Sequence, residues 1–155
     1  MANIITSGSG KIDKSARIVW DFMVDAATLH LWVKDVNKPG SWIDGGTPEV
    51  VGSKYRIDYE YGRKTNEIIF EVTSSERGKT FGVNTVQGLY PITADYDLVE
   101  SADGRSTVIS YTMVARSDSR FTAVMFAITG WIAKPMMRRR MNKELQELKS
   151  ALESN

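Results

Sequence analysis

The residues best suited to chemistry in this chain lie in the stretch GSKYRIDYEYG, where Tyr55, Ile57, Tyr59 and Tyr61 alternate with Arg56, Asp58 and Glu60. Period-two alternation is the mark of a half-buried strand, so one face carries three phenols and an isoleucine, and the other carries charge. A phenol can donate a hydrogen bond to a carbonyl oxygen or act as a general acid, which makes Tyr55 and Tyr59 the candidate catalytic groups. Buried tyrosine hydroxyls require partners. The face therefore either lines a cavity with polar handles or fills a core with its hydroxyls reaching solvent at the sheet edge. Nothing in the surrounding sequence lowers a tyrosine pKa, and Arg56 falls on the wrong face to assist.

Other chemistries are poorly supplied. The chain has no cysteine and one histidine, His30, so thiolate chemistry is excluded and no histidine cluster can hold a metal. His30 beside Trp32 reads as a structural or surface group, with proton shuttling at a pocket mouth as the alternative. The run Ser7-Gly8-Ser9-Gly10 lacks the Lys-Ser/Thr ending and the following helix of a phosphate loop, and reads as a twisted or bulged edge strand. There is no Gly-x-Ser-x-Gly elbow and no nucleophile–base pair. No metal and no cofactor is expected.

The chain has 155 residues, of which 42% are hydrophobic and 25% charged, enough for one domain spanning 1–155 with its own core. A formal net charge of +1 offers no basic field for nucleic acid. The N-terminal stretch has no apolar core of signal-peptide length. The apolar-rich run 121–137 falls short of the roughly 20 residues a membrane span needs. A cytoplasmic location is the expectation.

The elements that must position the tyrosines follow from local pattern. Residues 3–12 read as a strand. Ser15 is placed to cap a helix in which Ala16, Val19, Trp20 and Met23 recur at helical spacing. ATLHLWV gives a second, short helix. Beyond residue 35 the pattern turns to strands: the tyrosine strand, a partner carrying Ile68, Phe70 and Val72, and further strands at about 79–87, 89–99 and 106–115, with Asp103-Gly104 as a hairpin turn. A four-residue loop around Gly62-Arg63 would put Arg56 opposite Glu71, and a two-residue loop would put Asp58 opposite Glu67. The first avoids apposed carboxylates and is favoured. A long helix from about Ser119 closes the chain. The order β-α-α-β-β-β-β-β-β-α describes an antiparallel sheet with a helix across it.

The residues Ile12, Ser15, Ala16, Val19, Trp20, Asp21, Phe22, Asp25 and Trp32, with Val51-Gly52 and the DGRSTV turn, carry a family pattern. The chain resembles the START/polyketide-cyclase/birch-pollen-allergen-like (SRPBCC) superfamily, in its small bacterial polyketide cyclase/dehydrase branch. That resemblance implies an α+β helix-grip fold: a curved antiparallel sheet of about seven strands wrapped around a long C-terminal helix. Ser75-Glu76-Arg77 departs from it, standing where many relatives carry proline. The implied function is binding or transport of a small hydrophobic or aromatic molecule, such as a lipid or polyketide, between sheet and helix. An aromatase/cyclase or dehydrase-type lyase, without metal and with tyrosine general acids, is the alternative. The ligand-binding set on the sheet is Tyr55, Ile57, Tyr59, Tyr61, Ile68, Phe70, Asn84 and Tyr96, with Asn66 and Gln87 nearby.

On the closing helix, Met137, Met141, Leu145, Leu148 and Leu152 form one stripe, with Arg139 opposite and Arg138 and Arg140 on its shoulders. Pairing of Arg140 with Glu144 and of Lys143 with Glu147 is expected. Phe121, Val124, Met125, Ile128, Trp131 and Ile132 form an apolar side roughly opposite that stripe. A kink near Pro135 would reconcile the two, as would a partner subunit or lipid against one of them. Met125, Trp131, Ile132 and Met136 are assigned to the roof of the cavity. A third reading uses the arginines to contact a protein or membrane. Membrane contact is not favoured, and a monomer or weak homodimer is expected.

Overall fold

Ser15 begins the ordered framework as the spacing predicts: its Oγ accepts from the Ile18 amide at 3.4 Å, opening α1 (Ala16–Met23). In this computed structural model the described residues are 3–33, 35–61, 64–88, 91–116 and 120–153. For 3, 4, 61, 116, 120–134 and 136 they are described by backbone alone. Before α1 lies β1 (Asn3–Ile12). After it Asp25 caps a 3-10 helix, Ala26–Leu31, by accepting from the Ala27 amide at 2.9 Å.

Six strands follow: β2 (Ser41–Trp42), β3 (Lys54–Tyr61), β4 (Lys64–Glu76), β5 (Thr80–Gln87), β6 (Ile92–Glu100) and β7 (Thr107–Arg116). With β1 they form one seven-stranded antiparallel sheet in the order β1-β7-β6-β5-β4-β3-β2. The sheet curves about α2 (Arg120–Glu153), a single helix that continues through Pro135. This is the α+β helix-grip fold expected from the sequence. The start expected at residue 89 for β6 falls partly outside the described residues, and β6 begins at Ile92.

Two local expectations are corrected. The β3–β4 hairpin closes with Tyr61 opposite Lys64, which puts Asp58 opposite Glu67 and Lys54, not Arg56, opposite Glu71. The apposed carboxylates are tolerated because Arg56, opposite Ile69, reaches diagonally to Glu67 at 3.1 Å. β1 pairs with β7 in unbroken register from Asn3 to Ile12, so the Gly8 and Gly10 run contains no bulge. A Cβ on Gly8 would sit 2.7 Å from the Tyr111 hydroxyl, and one on Gly10 would touch the Leu145 side chain at 3.6 Å. These glycines let Tyr111 and α2 close onto an edge strand.

The departure at Ser75-Glu76-Arg77 also has a role. β4 runs through Glu76, and Gly78 turns the chain at φ +78°. Arg77 then grips Asp21 on α1, its Nε 2.8 Å from Oδ1. The core gathers Val19, Trp20 and Met23 of α1, Ile12, Val72, Val83 and Ile109 of the sheet, and Met141, Leu145, Leu148 and Leu152 of α2. The last four belong to the predicted stripe, whose fifth member, Met137, is only partly buried. Each such side chain taken fully from water contributes about 1.5–3 kcal/mol.

Candidate functional site

Strand alternation puts Tyr55, Ile57 and Tyr59 of β3 on the inner face. The ladder carries that face to Phe70 opposite Tyr55, Ile68 opposite Ile57 and Asn66 opposite Tyr59. From β4 it passes to Val83 opposite Val72, then across β5 and β6 to Tyr96 opposite Phe81, and on to Tyr111 opposite Tyr96. Trp42, Tyr55 and Phe70 form an aromatic row across β2–β4, with centroids 5.1 Å apart for the first pair and 5.4 Å for the stacked second.

The inner face is not uniformly closed. Val72 is sealed, and Tyr55 and Ile57 are buried, whereas Tyr59, Ile68, Phe70, Tyr96 and Met113 are only partly buried against the core. With the exception of Tyr96, these open positions lie toward the end of the sheet where β3 and β7 finish and β4 and β6 begin. α2 starts from that end, after β7, and its later turns reach Tyr111 through Asn142, Gly10 through Leu145 and Lys11 through Lys149. The first half of α2 is therefore the segment at the open end. The predicted roof residues Met125, Trp131, Ile132 and Met136 belong to that half. Their side chains, like that of Tyr61, lie outside the described residues.

Asn84 is a correction. It pairs with Glu71 and Thr93, one step out of phase with Val83 and Phe81, and so belongs to the outer face. Its Oδ1 is buried with no hydrogen-bond partner among the described residues. It does not share a surface with the tyrosines.

A polar cluster missed by the sequence reading occupies the inner face where Arg140 of α2 reaches Tyr59 of β3. Glu144 is 6% exposed and lies in the buried stripe between Met141 and Leu148. Arg140, one turn earlier, donates from Nε to Glu144 Oε1 at 3.3 Å, places Nη2 3.5 Å from Asp35 Oδ2, and lays its Cζ 5.1 Å from the Tyr59 ring centroid. Asp35 is fixed by backbone: at φ 67° its carbonyl accepts from the Glu60 amide at 2.8 Å, and Val36 bridges to Tyr59. Of the three arginines in sequence, only Arg140 turns inward; Arg138 and Arg139 are exposed. The expected Arg140–Glu144 pair is present. Lys143 and Glu147 are exposed. Glu144 was legible as a carboxylate three residues after Met141 and four before Leu148 on the stripe.

Burial pushes the Tyr55 phenol well above its ordinary range. Tyr96 is pushed further by burial and then by the Glu144 carboxylate. Tyr59 is also raised, chiefly by burial, while Arg140 opposes the shift and Asp35 and Glu144 add to it. Tyr111, raised by burial, donates to Asn142 Oδ1 at 3.1 Å. Proton donation at neutral pH is open to these phenols; ionisation is not. Two surface clefts lie apart from this cluster. One of about 440 Å³ runs between β1 and α2 at Gly10, Ile12, Leu145 and Lys149, and one of about 430 Å³ lies beside α1 at Ile18, Phe22 and Leu152. Among the described residues no group of three or more acidic, histidine or cysteine side chains could hold a metal ion, and no helix is long and apolar enough to cross a membrane.

A family model described as polyketide cyclase / dehydrase and lipid transport matches residues 4–153. The chain belongs to this family. That membership places it in the START/polyketide-cyclase/birch-pollen-allergen-like superfamily. Among solved structures the chain is similar to TTHA0849 from Thermus thermophilus, at TM-score 0.73 and 12% identity, covering 97% of each chain. A protein of unknown function from Staphylococcus aureus, SA2116, aligns at TM-score 0.73 and 14% identity, over 99% of this chain and 95% of that one. A START superfamily protein from Mycobacterium smegmatis aligns at TM-score 0.65 and 16% identity, over 97% and 94%. Identities this low establish the shared fold. No curated protein matches the chain in sequence.

Proposed function

We propose that the protein binds a small hydrophobic or aromatic molecule between the inner face of β3–β6 and the first half of α2. The observation that carries this reading is the graded inner face. It is sealed at Val72 and only half-buried at Tyr59, Ile68, Phe70 and Met113, beside the aromatic row Trp42–Tyr55–Phe70. Apolar walls with a few convergent polar groups are the usual make-up of ligand sites. The family description, which names lipid transport, supports the same class of ligand.

Carriage rather than turnover is the simpler function, because burial keeps these phenols protonated at neutral pH, able to hold a ligand by hydrogen bonding but not to act as nucleophiles. If a lyase reaction occurs, Tyr59 is its acid: among the described tyrosine side chains it alone lies under a guanidinium, whereas Tyr55 is buried between Trp42 and Phe70. The test is native mass spectrometry of freshly purified protein, followed by NMR titration with a naphthyl probe. A co-purifying small molecule, or shifts clustered at Tyr59, Ile68, Phe70 and 125–136, is expected. Shifts confined to the clefts beside β1 and α1 would sink the assignment.

A further inference from the structure

The polar cluster on α2 says which ligands the site accepts, an inference that rests on the binding reading above. We infer that Arg140, Glu144 and Asp35 form the polar end of the ligand site, and that this end selects an uncharged hydroxyl or ketone group and rejects a carboxylate.

An inward arginine above an aromatic face would ordinarily suggest an anion receptor. Here its charge is already engaged. Nε is on Glu144 at 3.3 Å and Nη2 is 3.5 Å from Asp35, so an incoming carboxylate must compete with two internal ones for the same guanidinium. One guanidinium and two carboxylates sum to a formal charge of −1, and the deeper member is the acid: the Glu144 side chain is 7% exposed, against 34% for Arg140 and 35% for Asp35. Glu144 is shielded from solvent, so a second anion beside it meets repulsion that is screened less than at the surface. The field of Glu144 adds to burial at Tyr96, so that side of the site sees a negative group, whereas at Tyr59 the Arg140 guanidinium outweighs Asp35 and Glu144. At Tyr111 the solvent-exposed Arg138 opposes and outweighs Glu144.

A neutral polar ligand fits this surround better. Its hydroxyl can donate to a carboxylate, its carbonyl can accept from a protonated phenol, and neither must strip Arg140 from its partners. Rejection of the wrong ligand by unfavourable charge is a common source of specificity.

The experiment compares 2-naphthol with 2-naphthoate at pH 7.5 by isothermal titration calorimetry, on the full chain. Naphthol is expected to bind about tenfold or more tightly than naphthoate. Glu144→Gln, checked for folding by circular dichroism, should narrow or reverse that ratio. Asp35→Asn gives an independent variant, since asparagine tolerates the left-handed backbone at this position, and should shift the ratio in the same direction. Naphthoate binding as tightly as naphthol, or ratios unmoved in both variants, overturns the inference while leaving the binding site intact. Failure of both probes to bind the wild-type chain overturns the binding reading and the inference together.

Discussion

Gly8 shows how one missing side chain organises the inner face. Directly opposite Tyr111 on the β1–β7 ladder, it leaves room for the ring that reaches Asn142 on α2. Gly8→Ala should push the Tyr111 hydroxyl off Asn142 and destabilise the fold by about 1–3 kcal/mol, measured by urea unfolding. Tyr111→Phe in the same chain should recover part of the loss, because the clash is with the hydroxyl. Tyr55 makes a pH prediction. Its folded pKa is raised, so the folded state holds the proton more tightly than the unfolded chain does. The stability tied to that proton is complete below the unfolded value of 10.0 and declines as pH climbs above it, by up to about 1.4 kcal/mol per unit. Unfolding curves between pH 8 and 11 should show the fall, and Tyr55→Phe should lessen it, the remainder coming from the other raised phenols; an unchanged slope would refute the assignment. The face of Asn84 was legible in principle, because it directly follows Val83 in an alternating strand, and proximity to the tyrosines in sequence order was a poorer guide than phase.

At the scale of elements, cap chemistry and periodicity were readable because they are local. Ser15, the tyrosine alternation and the Met141–Leu152 stripe each fold where the pattern says. The β3–β4 register does not follow from directly opposed pairs alone, because the diagonal Arg56–Glu67 contact relieves the apposition of Asp58 and Glu67. The inward turn of Arg140 was hidden because its partner Asp35 comes from a loop more than a hundred positions earlier. The Asp21–Arg77 pair joins α1 to the β4–β5 turn, but both side chains are nearly half exposed. Arg77→Met should therefore leave the melting temperature nearly unchanged, and a marked drop would mean the turn itself depends on the pair. Pro135 lies inside α2 and has no amide for the carbonyl of residue 131. Pro135→Ala should raise hydrogen-exchange protection at 135–139 and stabilise the helix by about 1–3 kcal/mol. Unaltered exchange there would show that the helix has already absorbed the defect.

For the molecule as a whole, the sheet and its closing helix share one interior, anchored by Trp20, whose Nε1 donates to the Thr80 carbonyl at 2.9 Å while its ring meets Phe81 edge-on. Trp20→Ala should cost about 3–5 kcal/mol and weaken probe binding only as far as it unfolds the chain. The fold was legible because its signature is spread over strands, turns and caps that agree with one another. The ligand was not, because the volume of the site depends on how the first half of α2 packs, which no local pattern encodes. The β1–β7 pairing carries a consequence for biosynthesis. Ile12 meets Thr107 and Asn3 meets Arg116, so β1 leaves the ribosome long before its sheet partner β7. Until then its ladder groups and Ile12 have no native cover, and a nascent chain halted before β7 presents an unpaired edge to chaperones or to other chains.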